Sequence, residues 1–214
     1  NRERRELAFS CLARFGQRLA GFETGRVRAV ATNAVRQLAN PQAFLLPAET
    51  ALGHPIEVVS GREEARLIYQ GVARGLPSSD KTRLVIDIGG GSTEFIIGRG
   101  RDALERESLQ VGCIASTMRF FEDGKVTPRR WKQALTEIAV EMQQFGAHYR
   151  ERGWSEAIGS SGTMKAISGI VQANGWSEQG ITSDSLGALR ESLLAFGNSS
   201  EFNLPGLSSD RVNV

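Results

Sequence analysis

The sequence predicts an α/β protein. Short apolar runs alternate with longer amphipathic ones along its 214 residues, the pattern of strands and helices that follow one another. The central stretch, Arg83 to Gly98, reads as strand, tight turn, strand: an apolar run holding one carboxylate, Asp87, then Gly89-Gly90-Gly91-Ser92-Thr93, then Glu94 and a second apolar run. The segment Gly75-Leu76-Pro77-Ser78-Ser79-Asp80-Lys81 joins glycine, proline, serine and charge. It is the best linker in the chain and divides it into residues 1–78 and 79–214.

The elements follow in order. Residues 2–20 read as an amphipathic packing helix, with Leu7, Cys11, Phe15 and Leu19 recurring every fourth position. Gly21 closes it, and 26–31 is a short strand. Asn40-Pro41 supplies an N-cap and a proline at the first helical position. The helix behind it carries Phe44, Leu45, Ala48 and Leu52. Residues 56–59 are a strand, and a helix opens at Ser60. Beyond the central hairpin come a strand over 104–109 and a helix over 114–121, with Phe120 and Phe121 in the core. Thr127-Pro128 caps a long helix whose stripe of Trp131, Leu135, Ile138, Met142, Phe145 and Tyr149 is read as core. Residues 155–158 form a strand, Met164 to Asn174 a helix, and 184–196 another.

Composition narrows the function classes. Hydrophobic content of 40% and charged content of 23% are those of a globular protein. A net charge of +2 gives no argument for a nucleic-acid partner or an anionic membrane. Cys11 and Cys113 lie far apart and predict two buried thiols in a reducing compartment. His54 and His148 are isolated, which speaks against a zinc site and a Ser-His triad. No apolar run approaches the roughly 18 residues of a membrane span.

Four groups carry candidate chemistry. The bare amides of Gly89, Gly90 and Gly91, with Ser92 and Thr93, suit close approach to an anion, while Asp87 and Glu94 suit a divalent cation or its waters. An ordinary glycine-rich hairpin is the other reading. Thr32-Asn33-Ala34-Val35-Arg36 follows a strand end, where Arg36 is either a phosphate ligand or a solvated arginine. In Ser60-Gly61-Arg62-Glu63-Glu64 the spacing makes Ser60 and Glu63 a capping box. That leaves Glu64 on the stripe of Leu67, Ile68 and Gly71, either as a general base or as a partly buried carboxylate paired with Arg62 or Arg66. Finally, Gly159-Ser160-Ser161-Gly162-Thr163 reads as a loop feeding a helix N-terminus, a natural anion site or a plain Gly/Ser turn.

Ser60 to Ile68, Val85 to Glu94 and Gly159 to Thr163, in this order and at these intervals, resemble the exopolyphosphatase / guanosine pentaphosphate phosphohydrolase family. The resemblance covers essentially the whole chain. It implies an actin-like, ribonuclease-H-like fold with two α/β domains facing a cleft, both incomplete here: 1–78 as the later part of domain I and 79–214 as most of domain II. It implies that Glu64 is the general base and that Asp87 and Glu94 position Mg²⁺ and water. Phosphate then falls to Arg36, Gly89, Gly90, Gly91, Ser92, Ser160, Ser161, Gly162 and Thr163. The family's first phosphate loop has no counterpart in this sequence and would precede Asn1, so the chain reads as a fragment.

The implied activity is release of terminal orthophosphate from inorganic polyphosphate, with guanosine pentaphosphate as the alternative substrate. The implied setting is a cytoplasmic or membrane-peripheral homodimer with no nucleic-acid partner. Two further readings stand beside it: a kinase or chaperone ATPase of the same fold, and a non-catalytic polyphosphate-binding module.

Overall fold

A computed structural model describes residues 2–212. It is an α/β protein of two compact units, one reaching to Glu64 and one starting at Ala65. Residues 76–81, where composition suggested the divide, form the loop between the fourth helix and the third strand.

The first unit holds α1 (Arg2–Leu19), β1 (Ala29–Ala31), α2 (Asn33–Arg36), α3 (Gln42–Leu52) and β2 (Ile56–Val58). β1 and β2 are parallel, with Ala29 opposite Ile56 and Ala31 opposite Val58. β1 is shorter than expected because Thr24–Arg26 winds into a 3-10 turn. The amide of Ala43 bonds Asn40 Oδ1 at 3.2 Å, which is the expected cap. Gly53 ends α3 in the left-handed conformation (φ 75°). Pro47 sits inside α3 and has no N–H to give the carbonyl of Ala43 one turn back. That carbonyl accepts instead from the Arg5 guanidinium of α1.

The packing stripe of α1 differs from the one its periodicity suggested. Leu7 and Phe15 are 65% and 53% exposed. The helix meets α3 through Phe9, which stacks on Phe44 with centroids 5.3 Å apart, and through Gly16. A Cβ at Gly16 would lie 2.6 Å from the Leu52 carbonyl oxygen. The closest approach therefore selects the glycine's face, and the leucine and phenylalanine beside it turn outward. Cys11 is free and only half-buried, as is Cys113, so neither thiol is the buried one expected.

The second unit takes the rest of α4 (Gly61–Gly75) and a four-stranded mixed sheet, in the order β5 (Asp102–Leu109), β4 (Thr93–Arg99), β3 (Thr82–Ile88), β6 (Glu156–Ser160). β3 pairs antiparallel with β4 and parallel with β6. Side chains alternate across the sheet. On one face Val85 and Ile96 pack on Ala65, Tyr69 and Ala73 of α4. On the other, Leu84, Ile97 and Leu109 pack on Phe145 and Tyr149 of α6 (Pro128–Arg152). Each fully buried aliphatic side chain of this kind contributes about 1.5–3 kcal/mol. Tyr69 is fully buried, and its ring lies so close over Gly98 that a Cβ there would overlap it. Burial pushes the Tyr69 phenol above its ordinary pKa.

Thr127 caps α6 by accepting from the Arg130 amide at 3.3 Å, with Pro128 at the first position. The far half of its stripe is core. The near half is not: Leu135 is 52% exposed and borders an apolar cavity of about 770 Å³ that Trp131, Ile167 and Leu186 also line. α5 (Cys113–Phe120), α7 (Ser161–Ala173) and α8 (Ser183–Phe196) complete the unit. Among the described residues no helix is long and apolar enough to cross a membrane.

Candidate active-site groups

The first unit gathers Arg36 and Glu64. The α2 turn starts where β1 ends, and its last residue, Arg36, reaches back to β2 and α4. Its Nη1 donates to the Val59 carbonyl at 2.7 Å and its Nη2 to Glu64 Oε2 at 3.0 Å. The two side chains are 19% and 16% exposed. Glu64 thus pairs with Arg36, 28 positions away in sequence.

The neighbouring glutamate is engaged differently. The Glu63 amide donates to Ser60 Oγ at 3.2 Å, the serine half of the expected capping box. The Glu63 carboxylate lies 3.5 Å from Arg28, which also holds Glu57. The adjacent carboxylates therefore have separate partners: Glu63 faces an exposed arginine, and Glu64 a largely covered one. Asn33, one helical turn before Arg36, is 8% exposed with no partner for its Oδ1. Sequence reasoning did not single it out; its signal is its place three residues before Arg36 on a helix.

The second unit gathers the hairpin and the residues after β6. Strand register puts Ser108, Glu94, Asp87 and Ser160 side by side across four strands. Opposite residues in a ladder share a face, so this row lies on the α4 side, two positions along β3 from Val85. Glu94 is 1% exposed, and its Oε1 accepts from Ser108 Oγ at 2.8 Å. The turn closes through the Gly89 amide, which donates to the Ser92 carbonyl at 2.9 Å. Of the loop amides, Gly89's is therefore already in use. Thr93 Oγ1 donates to the Val111 carbonyl. Ser92 and Thr93 are both buried.

The segment 159–163 is tighter than the loop expected. β6 runs to Ser160 and α7 starts at Ser161, so strand passes into helix with nothing between. The turn is made at Ser161, whose φ of 87° makes it the only non-glycine with positive φ among the described residues. Such a backbone costs about 1–3 kcal/mol and is typical of functional turns. Ser161 Oγ accepts from the Met164 amide at 3.4 Å and so caps the helix. The Arg211 guanidinium lies against Gly162, where a Cβ would overlap its Nη2. Sequence reasoning missed Arg211, since nothing local marks it. Thr163 Oγ1 donates to Cys113 Sγ at 3.5 Å.

Among the described residues no three His, Cys, Asp or Glu side chains cluster as metal ligands. Magnesium is commonly held by one or two carboxylates, with water and substrate phosphate supplying the rest. The adjacent Asp87 and Glu94, one of them buried and fixed by Ser108, fit that donor set.

Comparison with known proteins agrees in family and fold. The model of the Ppx/GppA phosphatase family matches residues 1–214. A putative exopolyphosphatase of Haemophilus influenzae is 38% identical over 214 residues, which is 100% of this chain and 66% of that protein. A guanosine-5'-triphosphate,3'-diphosphate pyrophosphatase of Aeromonas hydrophila is 36% identical over 209 residues, 98% of this chain and 42% of that one. The chain therefore spans less than two thirds of these relatives. Among solved structures, an exopolyphosphatase of Cytophaga hutchinsonii superposes with a TM-score of 0.82 at 24% identity, covering 100% of this chain and 71% of that one. The Aquifex aeolicus PPX-GPPA enzyme gives 0.75 at 24%, covering 100% and 72%.

Proposed function

The chain belongs to the Ppx/GppA phosphatase family, and on that premise we propose that the complete protein hydrolyses the terminal phosphoanhydride of inorganic polyphosphate. The observation that carries the reading is the Arg36–Glu64 pair, a mostly covered carboxylate held at 3.0 Å by an arginine with donors to spare. Guanidinium has five N–H groups, so two bonds leave others for phosphate oxygens. Glu64 takes a proton from water, whose oxygen attacks the terminal phosphorus. The bridging P–O bond breaks, and orthophosphate leaves with a chain one unit shorter.

The remaining site residues neutralise charge and aim the phosphate. Polyphosphate carries about one negative charge per unit, so donors must surround it. In this reading the amides of Gly90, Gly91 and Ser92 with the Ser92 hydroxyl, and the amides and serine hydroxyls at Ser160 to Thr163, donate to the chain, with Arg211 as an added cation beside Gly162. Asp87 and Glu94 would hold Mg²⁺, which when bound supplies positive charge against the phosphate oxygens. A second reading is that of a guanosine pentaphosphate phosphohydrolase, supported by the pyrophosphatase relatives. A homodimer and a cytoplasmic or membrane-peripheral location belong to the same proposal.

The experiment is phosphate release from long-chain polyphosphate and from guanosine pentaphosphate by the complete protein. Glu64→Gln is expected to lower turnover by about 10²-fold or more. Near-wild-type turnover in that variant would sink the base assignment. Polyphosphate binding with no release from either substrate would favour the non-catalytic module.

A further inference from the structure

We infer that the first turn of α5, residues 112–115, is a positioning device for the Gly89–Gly91 loop, and that Gly112 is the residue on which it turns. The inference rests on the reading that this loop receives phosphate. Gly112 has φ −132° and ψ 170°, extended backbone open to any residue. Conformation therefore does not call for glycine there. Space does: a Cβ at Gly112 would lie 2.5 Å from the Gly90 carbonyl carbon and oxygen and from the Gly91 nitrogen. All three are backbone atoms, so no side chain can swing aside to relieve the overlap.

The close approach lets two bonds form. The first amides of a helix have no partner within it, and Gly112 as N-cap offers no side chain. The Cys113 amide donates instead to the Gly89 carbonyl at 2.9 Å, and the Ala115 amide to the Gly90 carbonyl at 3.0 Å. The hairpin loop caps α5, and α5 in return fixes the loop's peptide planes. In a trans peptide the C=O and the following N–H point opposite ways. Drawing the Gly89 and Gly90 carbonyls toward α5 turns the Gly90 and Gly91 amides away from it, as two neighbouring anion donors. The same turn touches the second Gly/Ser segment through Thr163 and Cys113, so it sets the two phosphate-binding segments against one another.

The test is Gly112→Ala in the complete protein. Relieving the overlap to an ordinary contact of about 3.5 Å needs a shift of about 1 Å, enough to lose an amide bond to a charged phosphate, which corresponds to about 10²-fold in binding. We expect kcat/KM for polyphosphate to fall by about that factor, carried mainly by KM. Amide exchange at Cys113 and Ala115 should quicken by about tenfold or more. Ile114→Ala is the gentler variant. Ile114 is 50% exposed and its Cδ1 is the atom a Gly90 Cβ would meet at 3.1 Å, so truncation loosens the loop without a clash. It should quicken the same two amides and raise KM several-fold. Gly187→Ala, facing open space in α8, should alter neither. Unchanged exchange in both loop variants overturns the inference whatever the activity. Quickened exchange with unchanged KM overturns the positioning role, and failure of the wild type to release phosphate overturns the functional reading instead.

Discussion

Replacing Arg36 by methionine probes the Arg36–Glu64 pair through stability as well as rate. The substitution removes the charge and both hydrogen bonds, while an unbranched apolar side chain keeps most of the volume. Two groups lose their partner: the Val59 carbonyl at 2.7 Å and Glu64 Oε2 at 3.0 Å. A hydrogen bond to a charged group is worth about 1.5–3 kcal/mol, and breaking a buried pair from one side costs about 3–5 kcal/mol. With Glu64 16% exposed, water recovers part of this, so Arg36→Met should destabilise by about 2–3 kcal/mol. Glu64→Gln leaves an uncharged acceptor for Arg36 and should cost about 1 kcal/mol or less. The double variant removes the stranded carboxylate, so its cost should fall short of the sum by about 1–2 kcal/mol. Urea unfolding of the four proteins measures this coupling, and phosphate release from the same preparations measures turnover. Additive stabilities would refute the pairing as an energetic unit.

Three other predictions follow from packing and charge. Gly98→Ala drives a methyl into the fully buried Tyr69 ring and should destabilise by about 1–3 kcal/mol; a thermal melt at the wild-type temperature would contradict that packing. Pro47→Ala restores an N–H opposite the Ala43 carbonyl and should stabilise by about 1–3 kcal/mol, whereas a lower melting temperature would show that the Arg5 bond to that carbonyl matters more. Arg130 holds the Asp123 carboxyl well below its ordinary value, to about 2. A depressed carboxylate favours the folded state above its unfolded pKa of about 3.9. The contribution of the 123–130 turn should therefore persist at neutral pH and fade as pH falls from about 4 toward about 2. Arg130→Met should move the Asp123 titration, followed by carboxyl NMR, back up; an unmoved titration would discard the pairing.

Legibility in the sequence followed the range of the interactions concerned. The Thr127-Pro128 cap, the Asn40 cap, the Ser60 contact and the central hairpin rest on residues a few positions apart, and each is present. The family could be recognised because its motifs are equally local. What escaped was longer in range. Periodicity marks a stripe on α1 but cannot weigh it against the face on which Gly16 lets α3 approach. It could not say that Glu64 would meet Arg36, since that partner arrives through the fold. Arg211 has no local signature and becomes visible only where its guanidinium lies on Gly162. Leu135 is exposed for a related reason: a helix's apolar stripe extends as far as its pattern, but burial extends only as far as a neighbour covers it.

The row of Ser108, Glu94, Asp87 and Ser160 belongs to no single loop and exists only through strand alignment. Side chains alternate with a period of two, so a slip of one residue along β3 would carry Asp87 through to the opposite side of the sheet, the side of Ile97 and Phe145. It would put a carboxylate into the packing interior and an aliphatic side chain beside Glu94 in place of Asp87. The same slip would break the Arg83–Glu156 pair that staples β3 to β6. Such an error would be doubly unfavourable, in the interior and at the staple, so a misaligned sheet has little chance of persisting as a soluble, inactive form. Alignment of this row is in this sense a proofread step of folding, checked by burial and by the Arg83–Glu156 pair.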